Sequence, residues 1–324
     1  MCRNAQKYVV KEVSCMSCFG LTDMYFTHLP DHSKPGFDEH AHFSKFKKYN
    51  IIFNAVSNYV HCDHHVGCLS FKTVLHGEEW YGINNHQLAI RPGQFLILND
   101  DQPYSCHIDE EGVRSLSIFF KKEFASSVFS DAHLPEEKLL DNPSGGRKML
   151  EFFQTLHSID STLQRQLSRF VASLNTHGYD CFMVDEYLVP LLQHLVRVHQ
   201  SDVGRSQKVD AVKLSTRTEI YKRLSIARDI LDSHYMDKPD LNVISTMACL
   251  SVPQLIRQFK SVFQTTPHQY LIHTRLQRAS ELLKHTTIPV HEISWKCGFE
   301  NVSAFCRAFK SEYGIQPGSW RKTK

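Results

Sequence analysis

The spacing of apolar and polar positions changes character along this chain. Between about residues 35 and 125, short β-rich runs at 50–55, 70–75, 95–98 and 115–120 are cut by turn-forming residues: Pro92-Gly93, Asn99-Asp100-Asp101 and Gly112. Runs of that length and spacing predict a sandwich or small barrel. An Asp-Asn-Pro-Ser-Gly-Gly run at 141–146 breaks the pattern, and residues 147–157, 161–175 and 181–200 then read as helices. The last of these carries Val184, Leu188, Leu191, Leu192, Leu195 and Val198, a helical stripe that suits either a core or a dimer seam. Residues 201–215 are polar and poorly periodic and predict a linker. Ile220, Leu224, Ala227, Ile230 and Leu231 then open an all-α domain. The chain divides accordingly into a β-rich domain (1–145), a helical segment (146–200), a linker (201–215) and a helical domain (216–324): an α+β multidomain protein.

Twenty residues of the helical domain occur twice, fifty positions apart. Residues 251–270 read SVPQLIRQFKSVFQTTPHQY and residues 301–320 read NVSAFCRAFKSEYGIQPGSW. Six of the twenty are identical: Val252/Val302, Arg257/Arg307, Phe259/Phe309, Lys260/Lys310, Ser261/Ser311 and Pro267/Pro317. A repeated unit points to a repeated structural job. In the first copy Ser251 is an N-cap with Gln254 as capping-box partner rather than base reader, and Val252, Leu255, Phe259 and Val262 form the inward face. Residues 241–248 supply a short helix before it, and Cys249-Leu250 the turn, giving a helix-turn-helix. In the second copy residues 290–296 form the short helix, Cys297-Gly298-Phe299 the turn and Asn301 the cap. Val302, Phe305, Phe309 and Tyr313 face inward, and Gly314 ends the helix.

Between the copies, Thr266, Pro267 and Gln269 spell an N-cap, an N1 proline and a capping-box glutamine for a helix reaching about residue 285. Nineteen residues span roughly 28 Å, close to the ~34 Å between major-groove segments on one face of duplex DNA. Outward-facing residues then acquire a chemical reading. Arg257 and Arg307 suit bidentate contact with a guanine edge, worth about 1–3 kcal/mol of discrimination. Ser303 is small enough to bond a base edge, Ala304 or Ile256 to touch a thymine methyl, and Pro253 shares the same face. Lys260, Lys310, Arg321 and Lys322 suit phosphates, as do the amides at the helix starts capped by Ser251, Thr266 and Asn301.

Charge supports the same division. The chain carries a net +3, but residues 217–324 hold 16 basic against 9 acidic side chains, a local +7, so the remainder is net negative. Basic charge concentrated on the repeat attracts a polyanion. Apolar content of 42% and charged content of 22% are ordinary for a soluble protein. The first fifteen residues have no apolar core of the signal-peptide kind, and no apolar run approaches the ~20 residues of a membrane span. Ten cysteines without such a signal read as free thiols in a reducing cytoplasm.

These residues resemble a known family. Residues 216–320, carried by LSVPQLIRQFKSVFQTTPHQYL and RLQRASELLKHTTIPVHEISWKCGFENVSAFCRAFKSEYGIQP, resemble the DNA-binding domain of AraC/XylS-type bacterial transcription regulators. The resemblance implies seven helices, with two helix-turn-helix units joined by a central helix. It places base contacts on Pro253, Ile256, Arg257, Val302, Ser303, Ala304 and Arg307; Val302 conflicts with the periodicity, which buries it. Ser245 and Ser294 stand where the family favours alanine, and Cys249 where glycine often makes the turn. More loosely, LAIRPGQFLILNDDQPYSC at 88–106 resembles the cupin-like effector domains of the same family. That implies a β-barrel binding a small molecule, followed by dimerisation helices. Double-stranded DNA, RNA polymerase and a second copy of the chain are the implied partners, and activation the implied action.

Trp80, Tyr81, Tyr104 and His107 are candidate effector contacts. Metal-binding cupins show a His-x-His pair with a later Glu, and a further His after the Pro-x-Gly turn. Neither pattern stands here, so no catalytic metal, cofactor or enzymatic activity is expected. An alternative is a metal- or redox-responsive regulator using His61, Cys62, His64, His65 and Cys68, or the Cys15-x-x-Cys18 pair. A constitutive architectural DNA binder would not need so large an N-terminal domain.

Overall fold

A computed structural model describes residues 24–28, 45–133, 150–237 and 239–322. The N-terminal part is built on β1 (Tyr25–Phe26), β2 (Ile51–Ser57), β3 (Val60–Gly67), β4 (Ser70–His76), β5 (Glu79–Ile83), β6 (His86–Ile90), β7 (Gln94–Leu98), β8 (Gln102–Ile108), β9 (Val113–Phe119) and β10 (His157–Ser158). One sheet runs β1-β2-β9-β4-β7-β10 and the other β3-β8-β5-β6. Side chains of both sheets share an apolar interior: Val74, Leu96 and Val113 from the first, and Ile83, Leu88 and Ile108 from the second. Among the described residues no ladder joins the two sheets, so the expected barrel is an open, two-sheet sandwich. The β5–β6 hairpin turns on Asn84 and Asn85, both at positive φ, which asparagine tolerates in a two-residue turn.

Three helices cover the outer face of the larger sheet: α1 (Lys122–His133), α2 (Ser161–His177) and α3 (Cys181–Ser206). The stripe read as core or dimer seam is core. Val184, Leu188, Leu191, Leu192 and Leu195 are buried in this chain's own interior beside Phe71 and Phe95 of the sheet. Two expectations are corrected here. Residues 150–156 are not helical. Phe152 joins the core under the three helices, Phe153 the core of the C-terminal part and Leu156 the sandwich interior, and one short helix cannot point three successive apolar groups that way. Helix α3 also runs six residues into the expected linker, because Asp202 and Ser206 are buried on it. Asp202 accepts a hydrogen bond from Tyr221 Oη at 2.8 Å and pairs with Arg205 at 3.2 Å.

The C-terminal part has seven helices among the described residues: α4 (Leu214–Ser233), α5 (Leu241–Met247), α6 (Val252–Phe263), α7 (Pro267–His285), α8 (Val290–Lys296), α9 (Val302–Tyr313) and α10 (Pro317–Trp320). Helix α7 belongs to two cores. Leu271 packs with Leu255, Phe259 and Ile244, while Leu276, Ala279 and Leu283 pack with Ile293, Phe305 and Phe309.

Helix α4 lies against β6 through polar contacts that are mostly buried. The Arg91 guanidinium donates to the carbonyls of Asp232 and Ser233 at 3.1 and 2.9 Å, closing the helix C-terminus, and forms an ion pair with Glu78. Ser233 Oγ accepts from the Ala89 amide at 2.9 Å. Asp229, fully buried, accepts from Thr155 Oγ1 at 2.7 Å and the Leu156 amide at 3.2 Å, and Arg228 donates to Thr155 Oγ1 and the Leu156 carbonyl, both at 2.8 Å.

Candidate nucleic-acid interface and ligand site

Helices α6 and α9 start and expose their residues alike. Ser251 Oγ accepts from the Gln254 amide at 3.4 Å, and Asn301 Oδ1 accepts from the Ser303 and Ala304 amides at 2.8 and 3.1 Å. Beyond the caps, Pro253 and Ser303 are exposed, Leu255 and Phe305 buried, Arg257 and Arg307 exposed, Phe259 and Phe309 buried, and Lys260 and Lys310 exposed. Pro253, Arg257 and Lys260 therefore share one outward face, as do Ser303, Arg307 and Lys310. Ile256 is exposed beside Arg257, and Ala304 is half-buried. Val302 and Val252, at the first helical position, are half-buried, between what the periodicity and the resemblance imply. Arg257 and Arg307 make no ion pair or hydrogen bond among the described residues, so both guanidiniums present their full set of donors.

Two phosphate expectations change. Arg321 turns inward, and its Nη2 donates to the Ile288 carbonyl, fastening the chain end to the α7–α8 connection. The helix-start amides are partly spent: Thr266 Oγ1 accepts from Gln269 N at 3.2 Å in a complete capping box, and the caps at Ser251 and Asn301 hold theirs. Pro253 and Pro267 bring no N–H at all. Sequence reasoning missed Gln258. It is buried between Leu255 and Phe259 on the inward face, and its side-chain amide exchanges two 3.1 Å bonds with the Asp210 backbone. Its place in the stripe, one turn after Leu255, was the available signal.

The four effector candidates separate into two pairs, because alternate strand residues face opposite ways. Trp80 lies opposite His107, and Tyr81 opposite Cys106. Trp80 and His107 stack outside the sandwich with centroids 6.0 Å apart, and the indole lies 5.3 Å from His234 just beyond α4. Tyr81 and Tyr104 point inward, 6.0 Å apart. With them sits a polar cluster that the sequence did not announce. Tyr81 Oη and Ser115 Oγ donate to Glu79 at 2.9 and 2.6 Å, and the Lys72 ammonium lies over the Phe119 ring at 3.6 Å. Lys72 and Glu79 are only 3% and 5% exposed, unusual for charged strand residues. Burial pushes the Lys72 ammonium down to about 8, against the pull of Glu79, and pushes the Glu79 carboxyl up. The Lys72 ammonium makes no hydrogen bond among the described residues, so it is a cation able to receive a polar ligand group.

The described residues of the His/Cys segment are spread along β3 and the bend that follows it. His61 pairs with Asp63 at 2.7 Å near the surface, Cys62 Sγ lies 2.8 Å from His65 Nε2, and burial pushes the Cys68 thiol up to about 12. Among the described residues no three metal-ligating side chains converge. Cys15, Cys18 and the His64 side chain lie outside the described residues. No helix among them is long and apolar enough to cross a membrane.

A model of the AraC-like ligand binding domain matches residues 52–180, and a helix-turn-helix domain model matches residues 244–323. The HTH-type transcriptional activator RhaS of Escherichia coli O81 (strain ED1a) is 31% identical over 261 residues, 80% of this chain and 87% of its own length. The HTH-type transcriptional regulator MtrA of Neisseria gonorrhoeae is 37% identical over 91 residues, 27% of this chain and 30% of its own. Among solved structures, the C-terminal domain of AraT, a response regulator from Geobacillus stearothermophilus, is 27% identical, covers 32% of this chain and 85% of its own, and has a TM-score of 0.30. The two domain matches fall on the sandwich with its covering helices and on the paired helix-turn-helix units, and, with a relative 31% identical over 80% of the chain, the chain belongs to the AraC/XylS family of transcriptional regulators.

Proposed function

We propose that the chain is a sequence-specific transcriptional activator of the cytoplasm that binds duplex DNA as a homodimer, contacts RNA polymerase, has no enzymatic activity of its own and is controlled by a small molecule in the N-terminal sandwich. The observation that carries this reading is the duplicated face. Helices α6 and α9 expose an arginine and a lysine at matching positions after matching caps, and α7 is rooted in the cores of both units. Base reading falls to Pro253, Ile256, Arg257, Ser303, Ala304 and Arg307, with Val302 at the margin. Lys260 and Lys310 take phosphates. Tyr81 and Tyr104, with Lys72 and Glu79, are the effector contacts; Trp80 and His107 serve the contact with α4.

Chromosomal site mapping supplies the target, and gel-shift titration of the full chain then tests the reading. Arg307→Ala is expected to weaken target binding by roughly 5- to 150-fold, the equivalent of one bidentate base contact, and to leave random DNA nearly unchanged. Equal loss on both would reassign Arg307 to a phosphate.

A redox-responsive regulator is the second reading, favoured by Cys62 standing opposite Cys106 across β3 and β8 with its thiol beside His65. Mass spectrometry after peroxide treatment decides it: a Cys62–Cys106 disulfide that alters DNA affinity supports it, and two unreacted thiols refute it.

A further inference from the structure

A cleft of about 560 Å³ lies outside the sandwich, lined from β7, β10, α2, α3, α4 and α7. Its walls include Asp160 at the start of α2, His194 and Arg197 on α3, Arg228 and Asp232 on α4, and Tyr270 on α7. Its size is in the range of small-molecule sites. His194 and Arg197 are three residues apart on one helix and line the cavity from one face; burial holds the His194 imidazole below its ordinary range, so Arg197 carries the positive charge of that face. Arg228 borders the same cavity from α4.

What the wall offers is unused hydrogen-bond donors rather than surplus charge. Both carboxylates on the wall are already engaged: Asp160 Oδ1 accepts from the Leu163 amide at 2.7 Å as a helix cap, and Asp232 accepts from Tyr270 Oη at 2.8 Å and Thr274 Oγ1 at 3.2 Å. Arg228 is only 8% exposed, and all its hydrogen bonds run from Nη2, to Thr155 and Leu156, with Asp229 3.8 Å away. Its Nε and Nη1 have no acceptor among the described residues. Arg197 is exposed at the mouth and makes no ion pair or hydrogen bond among the described residues. A concave site with a buried, half-satisfied guanidinium on one wall and an unengaged one on the other is built to receive an oxyanion.

We propose that this cleft binds a small organic anion carrying a carboxylate or phosphate group, with its charged head between Arg197 and Arg228. Such a ligand touches α3 of the N-terminal part and α4 of the C-terminal part together, so its occupancy favours the arrangement in which the two are docked. The inference rests on the reading of the chain as a ligand-controlled regulator and adds a site separate from the sandwich interior.

Thermal unfolding of the full chain tests it, with inorganic phosphate, citrate and acetate each titrated to ~10 mM at constant ionic strength, and with glucose as the neutral probe. At least one oxyanion is expected to raise the Tm saturably. Arg197→Ala, an exposed position whose loss leaves no partner behind, is expected to weaken that response at least tenfold, whereas Lys122→Ala on α1 leaves it unchanged. No saturable response to any oxyanion, or an equal response in Arg197→Ala, overturns the proposal. A response to glucose alone that Arg197→Ala does not alter discards the cleft but keeps ligand control. An oxyanion response that depends on Arg197 without any change in gel-shift affinity for the mapped target keeps the cleft and discards ligand control.

Discussion

The two helix-turn-helix turns solve one backbone problem with different residues. Cys249 and Gly298 occupy equivalent places, each following a short helix, and both have positive φ, +51° and +76°. An L-residue there costs roughly 1–2 kcal/mol, partly offset by glycine's greater loss of freedom on folding. Cys249→Gly is therefore expected to stabilise the protein by about 0.5 kcal/mol in urea unfolding. Gly298→Ala is expected to do the opposite and by more, since its added carbon would stand 2.5 Å from the Met236 carbonyl oxygen and 2.9 Å from Arg275 Nη2. Asp229 carries a different residue-scale consequence. Burial pushes its carboxyl from the ordinary 3.8 up to about 7, although Arg228 pulls the other way. A carboxyl that holds its proton more tightly when folded contributes stability that is complete below about pH 4 and is lost as pH rises through 7. Asp229→Asn keeps an acceptor for Thr155 and Leu156 without titrating. Its Tm advantage over the parent protein should widen from pH 4 to 7 and then level off; a gap that stays flat across that range would show that Asp229 is ionised throughout.

At the scale of elements, α7 is the member whose ends matter most. Its capping box closes Thr266 onto Gln269, and its two ends sit in different cores. Thr266→Ala should cost about 1 kcal/mol in urea unfolding, the usual worth of an N-cap. The bounds of α7 and α8 were legible in the sequence because caps, an N1 proline and apolar spacing are local signals. Strands β3, β5, β6 and β8 were not. In β3 the run of His, Cys and Asp hides the alternation, and in β5 Gly82 interrupts it. The segment 147–157 read as a helix because its apolar residues have helical spacing, but three separate cores claim them in the fold. The outward-facing positions of α6 and α9 were readable for the same local reason as α7. Lys72 and Glu79 were not, since nothing in a strand's own sequence shows that a charged residue faces inward to meet a partner from another strand.

Across the whole molecule, the contact between α4 and the sandwich is where the two halves are held together by buried polar groups. Arg91 is its centre: its guanidinium bonds the last carbonyls of α4 and lies 5.1 Å from the Tyr235 ring. Arg91→Ala removes charge-assisted bonds worth roughly 1.5–3 kcal/mol. Amide exchange along α4 is expected to accelerate, with protection of β2 and β9 unchanged; uniform loss across both halves would mean that Arg91 supports the sandwich itself. Residues 152–156 carry a further consequence. Because Phe152, Phe153 and Leu156 each belong to a different apolar interior, this five-residue stretch cannot be spliced in from another protein without upsetting three neighbourhoods at once. Chimaeras that exchange sensing and DNA-reading halves should tolerate a crossover at the exposed Val212-Lys213 ahead of α4, and should fail to fold when the crossover falls within 152–156.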